Sequence, residues 1–267
     1  MSLTLSDGPL SERRGDRVNY RIDGPENLLF ANTFPRRVRA VVAGETVLDT
    51  TAGMLLHESG LLPQLYVPEA NLCGDCFQPS EHTTVCPFKG VATYRTLRLG
   101  DRIEKNAVWD YRAPPSGASW MQGYVALRWD AVDSWFDEDE EVIGHLRDPY
   151  HRVDVRRTAR RIEVYLRGQL IARSSAAVVL SETGLSNRYY LPPDQVRADL
   201  LHSSPTETIC PYKGTASYLS GEVGSEMVDD VAWRYREPLD EMAIIAEKVS
   251  FSHPLIEVFA DDELVDS

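Results

Sequence analysis

The chain lacks long hydrophobic runs and contains few cysteines. Among its 267 residues no apolar stretch approaches the roughly 20 residues of a membrane-spanning helix, and residues 1–20 hold no apolar segment typical of a signal peptide. We therefore expect a cytoplasmic protein without a membrane partner. The four cysteines are too few and too unevenly spaced for a disulfide framework, and the cytosol would keep them reduced; they lie at positions 73, 76, 86 and 210.

The chain is also poor in basic residues. Its 28 lysines and arginines stand against 41 aspartates and glutamates, which gives a net charge of −13. A surface of that sign repels phosphate backbones, so we expect no nucleic-acid partner. The sequence has no Gly-x-Gly-x-x-Gly or P-loop motif, no Gly-x-Ser-x-Gly elbow and no His-Glu-x-x-His zinc motif. Several large enzyme classes are thereby excluded.

The most informative feature is an internal repeat. A shift of 124 residues aligns residues 37–143 with residues 161–267 without a gap, and about 24 of the 107 aligned positions are identical. Such similarity over that span indicates a duplicated domain. The sequence therefore predicts an N-terminal arm at 1–36, a first repeat domain at 37–143, a linker at 144–160 and a second repeat domain at 161–267.

Within each repeat the pattern is mostly that of short β-strands. Ala43-Gly44 separates two runs rich in β-branched residues and is typical of a hairpin turn, and Arg167-Gly168 repeats it in the second copy. A further hairpin is predicted to turn at Gly100-Asp101. Helix-compatible stretches follow at about 116–123 and 239–248. We predict a mainly β chain of antiparallel hairpins, with about one short helix in each domain.

Three short motifs recur in the two repeats. The first repeat contains Glu58-Ser59-Gly60, the segment from His82 to Gly90 and the segment from Asn106 to Tyr111; the second keeps Glu182-Thr183-Gly184, Cys210 to Gly214 and Trp233 to Tyr235. This set resembles the bacterial and fungal family of domain of unknown function 427, which carries a nucleotidyltransferase label. The resemblance implies two tandem β-tent-like domains, in which small antiparallel sheets are pinned together at one end. It also implies an aromatic-lined pocket between the sheets and, in relatives with this fold, a structural zinc ion.

The nucleotidyltransferase label itself finds little support among the carboxylates. That chemistry uses closely spaced acidic side chains to hold magnesium. Asp133, Asp137 and Asp139 come nearest to such a pair, and they lie at a predicted domain end. We therefore do not expect nucleotidyl transfer.

Charged and aromatic residues of the repeated motifs are the candidate ligand-binding groups. Aromatic rings stack on planar ligands and charged groups orient polar ones, so we predict that the first repeat binds a small polar molecule in a pocket between its sheets. The candidates are Glu58, Tyr66, His82, Lys89, Trp109 and Tyr111 in the first repeat, and Glu182, Lys213, Trp233 and Tyr235 in the second. Because Thr206 replaces the histidine at position 82, the first repeat is the better equipped.

Two other functions fit the same residues. In the first, the chain is an enzyme in which Cys86 is a nucleophile whose thiolate is favoured by His82 or Lys89, while Glu58 orients the histidine or acts as an acid. In the second, the cysteines are core thiols and the lysine and aromatic residues are structural, as in a protein-interaction module. The sequence leaves all three functions open.

Zinc is the one cofactor that the sequence suggests. Cys73, Cys76, His82 and Cys86 lie close together in the first repeat, and thiolate and imidazole ligands suit tetrahedral zinc. Arg197 and Leu200 replace the first two cysteines in the second repeat, which therefore cannot hold an ion in the same way.

Overall fold

The computed structural model describes Asn19 and residues 24–265, so most of the predicted arm, residues 1–18 and 20–23, lies outside the described residues. The chain divides into two units between Asp148 and Pro149. In the described part of the chain, no helix has the length and apolar character needed to cross a membrane.

The first unit contains eleven described strands. They are β1 (Leu29–Thr33), β2 (Val38–Val42), β3 (Glu45–Thr50), β4 (Met54–Glu58), β5 (Gln64–Pro68), β6 (Phe77–Cys86), β7 (Gly90–Leu99), β8 (Arg102–Tyr111), β9 (Tyr124–Leu127), β10 (Ser134–Asp137) and β11 (Glu140–Glu141).

The second unit repeats this series. Its described strands are β12 (Val153–Arg157), β13 (Ile162–Leu166), β14 (Gln169–Ser174), β15 (Val178–Glu182), β16 (Arg188–Tyr190), β17 (Leu201–Cys210), β18 (Gly214–Val223), β19 (Glu226–Tyr235), β20 (Val249–Phe251), β21 (Ile256–Ala260) and β22 (Glu263–Val265). The two series correspond strand for strand at the shift of 124 residues that the sequence predicts.

Antiparallel pairing organises both units. In the first, one sheet has the order β1-β4-β5-β9-β8-β7-β6 and the other the order β11-β10-β2-β3. In the second, β12-β15-β16 and β17-β18-β19-β20 are joined by a bridge between Leu191 and Val249, beside the sheet β14-β13-β21-β22. The predicted mainly β fold of antiparallel hairpins is confirmed.

Strands β1 and β12 correct the predicted domain boundaries. β1 pairs with β4, and β12 pairs with β15 in the corresponding register. The segments predicted as arm and linker therefore each supply an edge strand to a sheet, and the repeat starts before residues 37 and 161. Apart from Pro25 with Pro149 and Arg36 with Arg160, these segments have little identity to reveal their equivalence.

The predicted glycine turns form as expected. Ala43 and Gly44 have φ values of 50° and 81°, and Arg167 and Gly168 have values of 49° and 79°. Positive φ at both central residues is typical of a type I′ turn, whose twist matches that of the flanking strands. These turns join β2 to β3 and β13 to β14.

The predicted short helices are 3-10 helices rather than α-helices. Each is only six residues long and shorter than predicted, Ser116–Met121 in the first unit and Asp240–Ile245 in the second. Segments this short gain little from α-helical hydrogen bonds, and packing fixes them instead. Shorter 3-10 turns occupy Glu69–Asn71, Gly74–Cys76, Trp129–Ala131, Pro193–Gln195 and Ala198–Leu200.

Each unit buries a cluster on both faces of its larger sheet. In β9, Val125 and Leu127 lie in the main core between the two sheets, whereas Ala126 lies in the cluster on the opposite face, as the two-residue period of a strand requires. We call this opposite face the aromatic face. It carries Tyr66, Tyr94, Trp109 and Tyr111 in the first unit, and Tyr190, Tyr218, Trp233 and Tyr235 in the second.

This division corrects the predicted position of the ligand-binding residues. The main core fills the space between the sheets with side chains such as Val38, Val42 and Val108. The aromatic candidates instead lie on the other face of the larger sheet, so they do not line the space between the two sheets.

Strands β6 and β17 each form one edge of the larger sheet of their unit, and no other strand of the described residues pairs with their outer side. Both are ten residues long, and a register shift interrupts the pairing of each with its neighbour, between Pro79 and Thr83 and between Ser203 and Glu207. Near their ends, the side chains of Val85 and Ile209 are 76% and 61% exposed.

A close backbone approach explains the glycine that ends each Lys-Gly motif. Gly90 has a φ of +93°, and a Cβ there would lie 3.3 Å from the carbonyl oxygen of Ala113. Gly214 has a φ of +105°, and its Cβ would lie 3.3 Å from the carbonyl oxygen of Glu237. Glycine is therefore required at both positions by its dihedral angle and by the neighbouring chain.

We expect Gly90→Ala to lower the free energy of unfolding by about 2 kcal/mol, because the methyl group adds a contact with the Ala113 carbonyl to the strain of a positive φ. Gly44→Ala is the matched control, since Gly44 also has a positive φ but open space at the Cβ position. Urea unfolding of the two variants measures the difference. Equal losses would show that the Ala113 contact contributes nothing.

Candidate functional site

A buried ion pair lies at the centre of the repeated motifs. The Lys89 Nζ donates to the Glu58 Oε2 at 2.5 Å, and the two side chains are only 10% and 9% exposed. The second unit has the same pair, with the Lys213 Nζ donating to the Glu182 Oε2 at 2.7 Å. Glu58, Lys89, Glu182 and Lys213 are all among the predicted ligand-binding candidates, and the structure places them in two equivalent ion pairs.

Only a curled sheet allows this contact. Glu58 ends β4, and Lys89 directly precedes β7, yet β5, β9 and β8 lie between these strands in the sheet. In a flat sheet four strand spacings would separate β4 and β7 by about 19 Å. That distance exceeds the combined reach of a glutamate and a lysine side chain, so the sheet bends around the aromatic face until the two ends meet.

Aromatic side chains cover the inside of this bend. The Trp109 Nε1 donates to the Tyr66 hydroxyl at 3.2 Å, with the two rings nearly perpendicular and their centroids 6.4 Å apart. Tyr94 lies beside Trp109 with centroids 6.4 Å apart, and the Lys89 ammonium lies 5.6 Å from the centroid of Tyr111. Edge-to-face and cation–π geometries of this kind are favourable.

The second unit reproduces this arrangement closely. The Trp233 Nε1 donates to the Tyr190 hydroxyl at 3.2 Å, and their ring centroids lie 6.5 Å apart. Tyr218 lies 6.2 Å from Trp233 by centroids, and Tyr235 lies 6.4 Å from Tyr190. All four predicted ligand-binding residues of this unit therefore belong to one cluster or its ion pair.

The buried tyrosines of the aromatic face are neutral hydrogen-bonding groups. Burial raises the pKa of the Tyr66 and Tyr111 hydroxyls well above the ordinary value, and it does the same for Tyr190 and Tyr235. Because these phenols hold their protons at neutral pH, they are not general bases.

The more exposed end of the aromatic face carries hydroxyl groups that the sequence does not identify as candidates. The Thr84 Oγ1 and the Tyr94 hydroxyl lie 3.0 Å apart, and Thr208 and Tyr218 repeat this contact at 3.3 Å. The same residue type occupies each of these two positions in both repeats, and this identity is the sequence signal that could have identified them as candidates. His82 lies next to them, its ring centroid 4.7 Å from that of Tyr94.

The predicted catalytic residues are not brought together as a relay. Glu58 bonds to Lys89 and to the Asn27 amide rather than to His82. His82 and Cys86 lie on one strand, four residues apart, which separates their backbones by on the order of 13 Å. Within the described residues no hydrogen bond joins them, whereas Cys86 packs with the aromatic cluster.

The predicted zinc ligands are not assembled either. Cys73 and Cys76 form a disulfide, which corrects the expectation that these thiols are reduced. The 3-10 turn Gly74–Cys76 brings their Cα atoms to 5.4 Å, a separation that a disulfide spans. No group of three or more His, Cys, Asp or Glu side chains suited to a metal ion occurs in the described part of the chain. The residues as arranged do not fit a zinc ion.

The three aspartates that most resemble a magnesium-binding pair each form an ion pair with an arginine. Asp137 pairs with Arg36 at 2.6 Å, Asp139 with Arg39 at 3.1 Å and Asp133 with Arg102 at 3.5 Å. Each of the three aspartates thus has an arginine partner.

The two units differ at the glutamate and at position 82. The Asn27 Nδ2 donates to the Glu58 Oε1 at 3.1 Å, whereas at the equivalent position the His151 Nε2 lies 3.2 Å from the Glu182 Oε1. Both partners fall in the predicted arm and linker, which is why the sequence misses them. Thr206, the counterpart of His82, donates its hydroxyl to the Asp230 Oδ2 at 2.7 Å.

The partners of Glu182 set its protonation. Burial alone would raise the pKa of this carboxyl, but hydrogen bonds from His151 and Lys213 and the charge of Lys213 outweigh burial and bring the pKa below its ordinary value of 4.5. The carboxylate is therefore ionised at neutral pH and holds both partners.

We expect Lys89→Met to lower the free energy of unfolding by about 3–5 kcal/mol, because it leaves the Glu58 carboxylate buried without a counter-charge. The double variant Glu58→Gln/Lys89→Met removes both charges and should recover more than half of that loss. Urea unfolding measures all three proteins. Arg37→Met breaks an exposed pair with Asp49 and serves as control, with a loss much smaller than that of Lys89→Met because solvent screens the pair. A double variant no more stable than Lys89→Met would contradict the buried pair.

Acid should destabilise the second unit through Glu182. Because its folded-state pKa lies below 4.5, the stabilisation is complete above pH 4.5 and is lost as the pH falls through the folded-state value. Urea midpoints measured between pH 7 and pH 3 should therefore fall less steeply for Glu182→Gln than for the parent protein. Parallel pH curves for the two proteins would contradict the assignment.

The comparison with protein families agrees with this duplicated architecture. A family model described as a domain of unknown function (DUF427) matches the chain twice, over residues 31–138 and 154–262, so both matches begin within β1 or β12. No curated protein matches the chain. The chain belongs to the family of domain of unknown function 427, as a tandem member with one copy of the domain in each unit.

Proposed function

We propose that the first unit binds a small polar molecule with a planar group on its aromatic face. The observation that carries the proposal is the recurrence of one constellation: an ion pair, a Trp-to-Tyr hydrogen bond and a Thr–Tyr hydroxyl pair have nearly the same distances in both units. About 24 of 107 aligned positions are identical between the repeats, and the members of this constellation are among them.

Packing alone explains only part of the constellation. Tyr66 and Tyr111 are buried and serve the core of the aromatic face. Tyr94 and Trp109 are half-buried and Thr84 is exposed, so part of each ring and the hydroxyl pair are accessible to a ligand. Stacking on the rings and hydrogen bonds to the hydroxyls would hold a planar polar group.

The charges of the site favour a ligand without net charge. The Glu58 carboxylate and the Lys89 ammonium neutralise each other at 2.5 Å and are almost fully buried. A charged ligand would have to compete with that pair, whereas a neutral or zwitterionic molecule would not. The phenols add dipoles but no charge.

The first unit offers the larger platform. The His82 ring extends the accessible surface beyond Tyr94. In the second unit Thr206 supplies no ring, and its hydroxyl already donates to Asp230. We therefore expect the first unit to bind more tightly than the second.

A thermal-shift screen with adenosine, uridine and nicotinamide tests this function. A ligand that binds the folded protein stabilises it by about 2.7 kcal/mol at a hundredfold excess over Kd, so at least one of these compounds should raise Tm in a dose-dependent manner. Tyr94→Ala should weaken that ligand at least tenfold in a calorimetric titration, because it removes the platform and the hydroxyl that contacts Thr84.

Tyr165→Ala is the matched control, since Tyr165 is also a half-buried strand tyrosine but packs against Phe259 away from the aromatic faces. It should leave the affinity unchanged. A ligand that binds equally well to the Tyr94→Ala protein, or no Tm shift with any of the three compounds, would contradict the proposal and favour an interaction module.

A further inference from the structure

The second unit contains a cavity of about 420 Å³ whose lining includes none of the four aromatic side chains of its aromatic face. Its walls come from the end of β12, the residues that lead into β15, and the 3-10 helix Asp240–Ile245 with the residues that follow it. The lining combines three polar side chains, Arg157, Thr158 and Lys248, with an apolar wall that includes Ala177, Val178 and Ile244.

The two cations of this cavity have no acidic partner. Within the described part of the chain, neither the Arg157 guanidinium nor the Lys248 ammonium forms an ion pair or a side-chain hydrogen bond, although the chain carries a net charge of −13. Two nearby charged residues are paired elsewhere, Glu247 with Arg234 at 3.3 Å and Arg160 with Asp261 at 2.7 Å. Both cations are thus available to an anion.

Thr158 offers a hydrogen-bond donor in the same cavity. Its backbone N–H donates to the Ala177 carbonyl at 2.9 Å, and its Oγ1 accepts the N–H of Arg160 at 3.2 Å. These bonds fix the residue and occupy one lone pair of the hydroxyl. The hydroxyl proton remains to be donated to an oxygen in the cavity.

The first unit shows that the fold does not require these cations. At the equivalent positions, Thr33 replaces Arg157 and Tyr124 replaces Lys248. The strands and the 3-10 helix form in both units, so the positive charges of the second unit add nothing that the shared architecture needs.

We propose that this cavity binds a small dianion with a short apolar group, of the phosphate monoester class. Two cations match two negative charges, and a hydroxyl donor matches a phosphate oxygen. The wall formed by Ala177, Val178 and Ile244 accommodates the apolar part. This site is independent of the ligand proposed for the aromatic face, because the two share no residue.

Titration of the full chain with phenyl phosphate, followed by ¹H–¹⁵N NMR, tests the site. We expect saturable shifts of the Arg157, Thr158 and Lys248 amides, and weaker binding at 300 mM than at 50 mM salt. Benzoate, a monoanion with the same ring, and inorganic phosphate, a dianion without it, should each bind less tightly than phenyl phosphate.

Variants of Arg157 and Lys248 test whether these two cations bind the phosphate group. Arg157→Gln and Lys248→Gln should each weaken phenyl phosphate at least tenfold, while Lys248→Arg keeps the affinity within threefold. Arg156→Gln is the matched control, because it removes the same charge from the neighbouring position of β12 but does not line the cavity. No saturable shift in the parent protein, or parental affinity in both glutamine variants, would overturn the proposal.

Discussion

The buried glutamate–lysine pair is the contact on which the shape of each unit depends. It joins the end of β4 to the residue before β7, two points that a flat sheet would hold far apart, and so it marks where the sheet closes on itself. Removing two charges from water is costly, so the pair persists only where both partners are held in place. The turn around Gly90 holds the lysine, and the pairing of β1 with β4 supports the strand that carries the glutamate. On the inside of that curl, Tyr66 of β5 accepts a hydrogen bond from Trp109 of β8 across the intervening strand β9.

The ion pair and the curled sheet are the same in both units, but the residues around them differ. The glutamate has an amide partner from Asn27 in the first unit and an imidazole partner from His151 in the second. Thr206 replaces His82 at the equivalent position of the second unit, and the cations Arg157 and Lys248 have no counterpart in the first. The shared elements are those that bend the sheet, and the differences lie where side chains reach solvent or a cavity. Two copies of one scaffold thus present different chemistry.

Local sequence signals predict the local structure well. The type I′ turns at Ala43-Gly44 and Arg167-Gly168 and the hairpin strands follow from short-range patterns, and the repeat spacing follows from the identities at a shift of 124 residues. The curl does not, because it depends on residues 31 positions apart whose contact no periodicity encodes. Strand β1 is missed because its partner lies on the far side of the first hairpin. The Cys73–Cys76 disulfide is not predicted, because the number and spacing of the cysteines indicate only whether the protein resides in a reducing or an oxidising compartment. The distance between the two residues is set by the 3-10 turn that joins them. Tyr94 and Thr84 are missed as a pair because they meet across two strands.

The free edges at β6 and β17 have a consequence for how molecules of this chain meet one another. An unpaired ten-residue edge with an exposed valine or isoleucine near its end is a template for intermolecular pairing and aggregation. Each edge is broken in its middle by an irregularity, and each contains a proline there, Pro79 or Pro205, that has no N–H to donate. A foreign strand therefore meets two short stretches of free backbone rather than one long one. The irregular middle of each edge thus shortens the backbone stretches that could pair with a second molecule, while the rest of the edge strand stays paired with its hairpin partner.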